Sequence, residues 1–184
     1  MMTKKFINGV NIYLEELNYR NVNKNYQKWL KNKSINKYLE VRFKKNINTK
    51  YVREFIKNSK LNKNIILFGI FTKLNVHIGN LKLELNRDHK RSDLGILIGE
   101  KKYFGKGFGT EAIKLATKFI FENTKIEFMY AGIYRNNIAS ITSFKRSKWK
   151  RNGVLKNYWL FENKRVDEII FSITKNEFKK TYKK

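Results

Sequence analysis

The chain has 184 residues, of which 41% are hydrophobic, enough for one domain with a sizeable core, and it contains no cysteine. That absence excludes a disulfide framework, a cysteine nucleophile and thiolate zinc sites. The formal charge of +26, from 41 Lys and Arg against 15 Asp and Glu, points by its sign to polyanions. The lysines are spread without an arginine-rich block or a zinc-finger, RNP or KH pattern, so specific nucleic-acid binding is not expected. Asn and Ile are also plentiful, so a compositional bias explains the lysine surplus as readily as a binding surface does.

The start, "MMTKKFINGVNIYLEEL", lacks an apolar run of signal-peptide length, and no later stretch approaches 18 uncharged apolar residues. A cytoplasmic protein with no membrane segment is therefore expected. "VNIYLEEL" (10–17) alternates as a first strand, and 21–31 places Val22, Tyr26 and Leu30 on one helical face with Asn21 available as cap. "KYLEVRFKK" has no clear period. A second helix is predicted over 49–57 with Thr49 as cap.

Strands 64–73 and 76–85 read as a hairpin, and 92–100 as a third strand reached through the turn "NRDHKR". From Thr110 the period changes to 3.6, with Ala112, Ile113, Ala116, Phe119 and Ile120 forming an apolar stripe. A strand over 125–134, a helix carrying Ile138, Ile141 and Phe144, and two strand-like halves divided at "ENKR" complete the pattern. The expectation is one α+β or mixed α/β domain over 1–184, built on a single sheet, with 175–184 a basic tail that frays at its tip.

The most informative stretch is "ILIGEKKYFGKGFGTEAIKLATKFIF", in which Gly105, Gly107 and Gly109 separate a strand from a helix. Glycine permits positive φ and close approach of backbone amides, and a helix N-terminus attracts phosphate oxygens. The spacing fits neither the G-x-G-x-x-G dinucleotide fingerprint nor the mononucleotide loop. A tight loop whose glycines only relieve packing is the alternative.

The same stretch resembles the acetyl-coenzyme A signature of the GNAT N-acetyltransferases, in the branch of the ribosomal-protein N-terminal acetyltransferases. That signature has Arg or Gln, two residues, Gly, one residue, then Gly or Ala. Phe104, Gly107 and Gly109 stand at those places, so the first departs from the pattern. "IYLEELNYRNVNKNYQKWLKNKSINKYLEVRF", "HIGNLKLELNRDHKRSDLGILIG", "AGIYRNNIASITSFKRSKW" and "GVLKNYWLFENKRVDEIIFSI" resemble the rest of the branch, over about residues 10 to 174.

The resemblance implies the acyl-CoA N-acyltransferase fold, a mostly antiparallel mixed sheet flanked by helices, with acetyl-CoA as cofactor. Ile96, Leu97 and Ile98 would meet the acetyl group and pantetheine arm through main chain. Phe104, Gly105, Lys106, Gly107, Phe108, Gly109 and Thr110 would hold the pyrophosphate, and Asn137 and Ser140 would contact the cofactor from the next helix. Phe144 stands where the family often has a tyrosine that protonates the departing thiolate, so solvent or the amine's own proton is expected to serve. Lys148 and Trp149 replace the family's Gly-Phe, which costs most if that backbone is left-handed.

Glu100, at the end of the same strand, and His89, in the turn before it, are the candidate general bases; a solvated glutamate and an ordinary turn histidine are the alternatives. His77 reads as structural or orienting. Arg42 and Phe43 resemble a substrate-side pair and, with Asn80, Lys82 and Arg91, could line an acceptor pocket suited to carboxylate or phosphate.

The function implied is acetyl transfer to a primary amine, of a nucleotide-linked amino sugar or other small metabolite; the overall positive charge is expected to disfavour polyamines. The alternatives are a protein N-terminal acetyltransferase and a non-catalytic acyl-CoA- or polyanion-binding module. Pairing of two chains through the last strands stays open.

Overall fold

The computed structural model describes residues 6–20 and 24–182. Its centre is one eight-stranded sheet in the order β1-β2-β3-β4-β5-β6-β8-β7. The strands are β1 (Phe6–Asn8), β2 (Ile12–Glu16), β3 (Ile65–Thr72), β4 (His77–Asn86), β5 (Arg91–Ile98), β6 (Phe128–Tyr134), β7 (Lys150–Phe161) and β8 (Lys164–Thr174). Every junction is antiparallel except β5–β6, which is parallel and is crossed over by α4 (Phe108–Asn123). This is the mixed, mostly antiparallel sheet expected from the sequence; the short β1 was not foreseen.

Helices cover both faces. On one, the Ala112, Ile113, Ala116 and Ile120 stripe of α4 packs on Leu14, Phe68, Ile70, Leu81 and Leu83, joined by Phe144 of α5 (Ile138–Arg146). On the other, α1 (Lys24–Lys31) and α3 (Thr49–Leu61) bring Tyr26, Trp29, Leu30, Val52 and Ile56 onto Leu17, Leu67 and Phe71. Each strand is apolar on alternate residues toward each layer, which is why strands such as β3 read as nearly continuous apolar runs. The start predicted for α1, Asn21 with Val22, lies outside the described residues.

Between α1 and α3 lie a single-turn α2 (Lys33–Asn36) and a 3-10 turn over Glu40–Phe43, the stretch that showed no period. The cap of α3 is Asn48, not Thr49: its side-chain oxygen accepts the Tyr51 N–H at 2.8 Å. The β7–β8 hairpin turns at Glu162 and Asn163, both at positive φ (49° and 60°), the twist a two-residue turn needs to match its strands.

The feature that positions the site is a short pairing. β5 and β6 are hydrogen-bonded only over Arg91–Asp93 with Phe128–Tyr130. Beyond that point β5 stays bound to β4 as far as Gly79↔Ile98, and β6 stays bound to β8 as far as Tyr134↔Glu168. The two strands therefore diverge, and β5 has no strand partner on one edge from Leu94 to Ile98.

The expectation for the C-terminus is corrected. Residues 175–182 form α6 (Lys175–Tyr182) instead of a tail, because Thr174 and Glu177 build a reciprocal cap, and the tip expected to fray lies outside the described residues. Thr174 Oγ1 accepts the Glu177 N–H at 3.1 Å and Glu177 Oε2 accepts the Thr174 N–H at 2.8 Å. The helix seats Phe178 against Phe121, and the Tyr182 hydroxyl donates to the Ser147 carbonyl.

Lys148 has φ 57°, the left-handed conformation in which the family's glycine is at ease. It turns the chain so that Trp149 enters the core and its indole N–H reaches Thr117 Oγ1 at 3.2 Å. Lys148→Gly should relieve strain of about 1 kcal/mol and raise the melting temperature by roughly 2–4 °C in a thermal scan. Phe178→Ala should cost about 3–5 kcal/mol, read as a lower urea midpoint, because it empties a site that is 2% exposed.

Candidate active site

Two clefts meet where β5 and β6 part. One, of about 680 Å³, runs along the end of β5, the glycine loop, the first turn of α4 and the exposed face of α5. The other, of about 570 Å³, lies over the sheet between α1, α3 and the β6–β8–β7 edge. Tyr38, Leu39, Ile96, Leu97, Asn137 and Ser140 line both, so the divergent strands form a common floor.

The glycine loop is built to receive an anion. Gly105 and Gly107 sit at φ 72° and 86°, and a Cβ at either would meet no atom within 4 Å, so conformation rather than crowding calls for glycine. The N–H groups from Gly105 to Thr110 have no acceptor among the described residues; the first to bond is that of Glu111, to the Gly107 carbonyl at 3.0 Å. Unpaired amides with the dipole of a sixteen-residue helix behind them can cradle phosphate oxygens. The loop thus suits a diphosphate, and the cleft beyond it is lined as far as Leu97.

Most of the residues assigned to the cofactor from sequence gather here. Ile98, Phe104, Gly105, Gly107, Phe108, Gly109 and Thr110 line the first cleft, with Phe104 46% exposed. Lys106 projects from the loop without lining it. Asn137 is the cap of α5, its Oδ1 accepting the Ser140 N–H at 3.3 Å. Phe144 is 1% exposed, packed edge-on to Trp149, and lies beneath the second cleft.

The candidate bases do not gather. His89 lies in the exposed turn before Arg91, so the eight residues of β5, roughly 26 Å, separate it from the far end of the strand. Glu100 lines neither cleft, and its Oε1 accepts the Trp29 indole N–H at 3.0 Å. His77 is buried in an aromatic nest of Phe71, Trp29 and Tyr26. Its Nε2 lies 2.9 Å from the Gly79 carbonyl, so that nitrogen carries the proton, and burial holds its pKa below the ordinary value.

The acceptor residues divide. Asn80 and Lys82 line the second cleft, and Lys82 is paired with Glu84. Arg42 is spent on the Lys37 and Leu160 carbonyls (2.6 and 2.9 Å) and stacks on Phe43, which is 64% exposed. Arg91 donates to the Tyr130 hydroxyl at 3.0 Å, at the base of the divergence.

Sequence reasoning missed the carboxylates. Glu40, Glu84, Asp93 and Glu168 line the second cleft, where Lys82 is the one basic residue among the described residues. Burial raises the Asp93 and Glu168 carboxyls above the usual range, and repulsion adds to each: Glu84 acts on Asp93, and Asp93 on Glu168. Strand alternation hinted at this only weakly. Glu168 follows Asp167, and the two point to opposite faces, Asp167 toward Arg135 (2.7 Å).

The family model for the acetyltransferase (GNAT) domain matches residues 11–150, and the chain belongs to that family. A curated relative, the uncharacterized N-acetyltransferase p20 of Bacillus licheniformis, is 23% identical over 94 residues, 51% of this chain. The match spans about half (52%) of that relative's length. Among solved structures, a GNAT-family acetyltransferase from Bacillus anthracis has a TM-score of 0.79 at 19% identity, covering 94% of this chain and 100% of that one. The spermidine N-acetyltransferase from Vibrio cholerae, solved with CoA and spermine, has a TM-score of 0.79 at 17% identity, covering 91% and 98%.

Gly107→Trp should abolish coenzyme A binding in calorimetry, since the new side chain enters open space that the ligand would need and strikes nothing in the protein. The left-handed backbone adds about 1–2 kcal/mol of strain, so a folded but non-binding protein is the expected result.

Proposed function

We propose that this protein transfers the acetyl group of acetyl-CoA to a primary amine carried by a small cationic acceptor. The observation that supports the acceptor class is electrostatic. Of 15 acidic residues in a chain of charge +26, four line one cleft, and that cleft opens on the floor shared with the glycine loop.

Distance decides which charges the acceptor feels. At physiological salt the screening length is about 8 Å, so lysines on the outer surface contribute little inside the cleft. A carboxylate about 4 Å from an ammonium contributes up to roughly 4 kcal/mol of attraction at an effective dielectric near 20. The repulsion of polyamines expected from total charge is therefore reversed locally. A nucleotide-linked sugar would set its phosphates against these carboxylates, and Arg42, the fork expected to hold them, is already committed to two carbonyls.

Catalysis rather than passive binding is favoured by the shared floor, which lets a donor and an acceptor approach from opposite sides. The three departures from the family pattern leave it untouched. Phe144 and Trp149 are core residues, Lys148 is a turn, and Phe104 is half-exposed at the cleft mouth.

Thiol release from acetyl-CoA, measured with di- and polyamines, nucleotide-linked amino sugars and short peptides, tests the acceptor class. Diamines should give the highest kcat/KM, falling as salt rises. Asp93→Asn should raise the diamine KM about tenfold, the loss of roughly 1.5 kcal/mol of charged hydrogen bonding. Preference for the nucleotide sugar would overturn the reading.

A further inference from the structure

We propose that Glu168 is the group that takes the proton from the acceptor's ammonium, and is thus a catalytic residue of the reaction proposed above, on which this inference rests. An amine reaches a protein at neutral pH mostly as its ammonium form, which has no lone pair to attack with. A base must therefore stand beside the acetyl site, and neither residue suggested by the sequence does.

Glu168 stands there because of a glycine. In β6, Gly132 lies two residues beyond Tyr130, the last to pair with β5. A Cβ at Gly132 would come within 2.1 Å of Glu168 Oε1, so the carboxylate lies in a groove that any other residue would fill. Carrying the parallel register forward from Asp93↔Tyr130 sets Gly132 across the divergence from Gly95, where an added Cβ would meet no atom within 4 Å. The carboxylate thus borders open space next to Ile96 and Leu97, the residues that line both clefts.

A second observation shows that a ligand is awaited at this spot. Asn80 is 5% exposed, lines the same cleft, and is the register partner of Leu97. The protonated Nε2 of His77 lies 3.0 Å from its Oδ1, which fixes the amide's orientation. Its Nδ2 then has no partner among the described residues. A buried donor left open costs about 1–3 kcal/mol unless something fills it, and an oxygen of a bound ligand would.

The surroundings suit a base. Asp93 of β5 and Tyr134 of β6 face Glu168, Lys82 and Glu84 of β4 lie further along the cleft, and the Trp159 indole of β7 lies nearby without a hydrogen-bond partner of its own among the described residues. Glu168 is 7% exposed, and burial with the Asp93 charge raises its pKa above the ordinary carboxylate value, while the nearby Trp159 indole partly offsets this. Glu84 is neutralised by Lys82, and Asp93 sits in the paired part of β5, before the opening.

The step balances as follows. The Glu168 carboxylate takes one proton from R–NH3+, leaving R–NH2. The nitrogen lone pair forms the N–C bond to the acetyl carbonyl carbon, and the C–S bond breaks with its electron pair going to sulfur. The second nitrogen proton passes to the thiolate, giving the thiol, and Glu168 returns its proton to solvent.

The test compares wild type with Glu168→Gln, using a strongly basic diamine and hydroxylamine, which is largely neutral at the assay pH. For the diamine, kcat should fall about 10²- to 10³-fold with KM within threefold, and for hydroxylamine the deficit should shrink below tenfold. The wild-type log kcat should level off with pH, while that of the variant keeps rising toward the pKa of the amine. Folding is checked by melting temperature. A carboxyl whose folded pKa is raised destabilises the fold once pH rises through its unfolded value, so the variant should melt no lower than wild type at neutral pH. Equal kcat in the two proteins, equal losses for both amines, or a loss confined to KM would overturn the role of Glu168. A wild type that binds acetyl-CoA yet acetylates neither amine would instead overturn the function on which it rests.

Discussion

Everything at the candidate site follows from where β5 and β6 stop pairing. Each is held from its outer side, β5 by β4 and β6 by β8, so the gap between them is a fixed opening and not a frayed edge. Backbone groups facing a protein interior are normally satisfied, and a net contribution of about 1 kcal/mol is forgone for each ladder bond left unmade. The fold retains that cost at a place where an extended ligand could supply the missing partners. The glycine loop, the cap at Asn137 and the carboxylates of the second cleft are all arranged around this one interruption.

Charge in this protein works on two length scales. The lysine excess describes the surface, while the cleft over the sheet carries the opposite sign. Carboxylates collect there because the strands alternate: Glu84 and Asp93 are register partners on one face, and Glu168 joins them through β8. Lys82 pairs with Glu84, while burial raises the Asp93 and Glu168 carboxyls; the Glu84 charge adds to the rise at Asp93, and the Asp93 charge to that at Glu168. Total charge predicts little about a recess a few ångströms across, because screening removes the distant terms first.

Much of the architecture was legible where period and punctuation agree. The α4 stripe, the β3–β4 hairpin and the "ENKR" turn each carry a local signal with a physical cause, and the glycine loop pointed to phosphate before any coordinates. The misses have causes too. Asn48 and Thr49 are both able caps, and only the backbone decides between them. The cap of α6 was readable in "TKNE", but the lysines around it favoured a solvated tail, and the anchoring Phe178 had no helical repeat long enough to reveal it. Glu168 could not be found without topology. Its neighbours Gly132 and Asp93 are 36 and 75 positions earlier, brought together only because β8 inserts beside β6.

That insertion shapes how the chain must assemble. The last described strand in chain order, β8, is an interior one, flanked by β6 and β7, and the helix after it seals the core beside Phe121. During translation β6 has an open hydrogen-bonding edge until residue 174 has left the ribosome, so the nascent chain depends on avoiding the intermolecular pairing that such an edge invites. Maturation of the sheet thus waits on residues 164–174, and a nascent chain held short of them has a central ladder that cannot close.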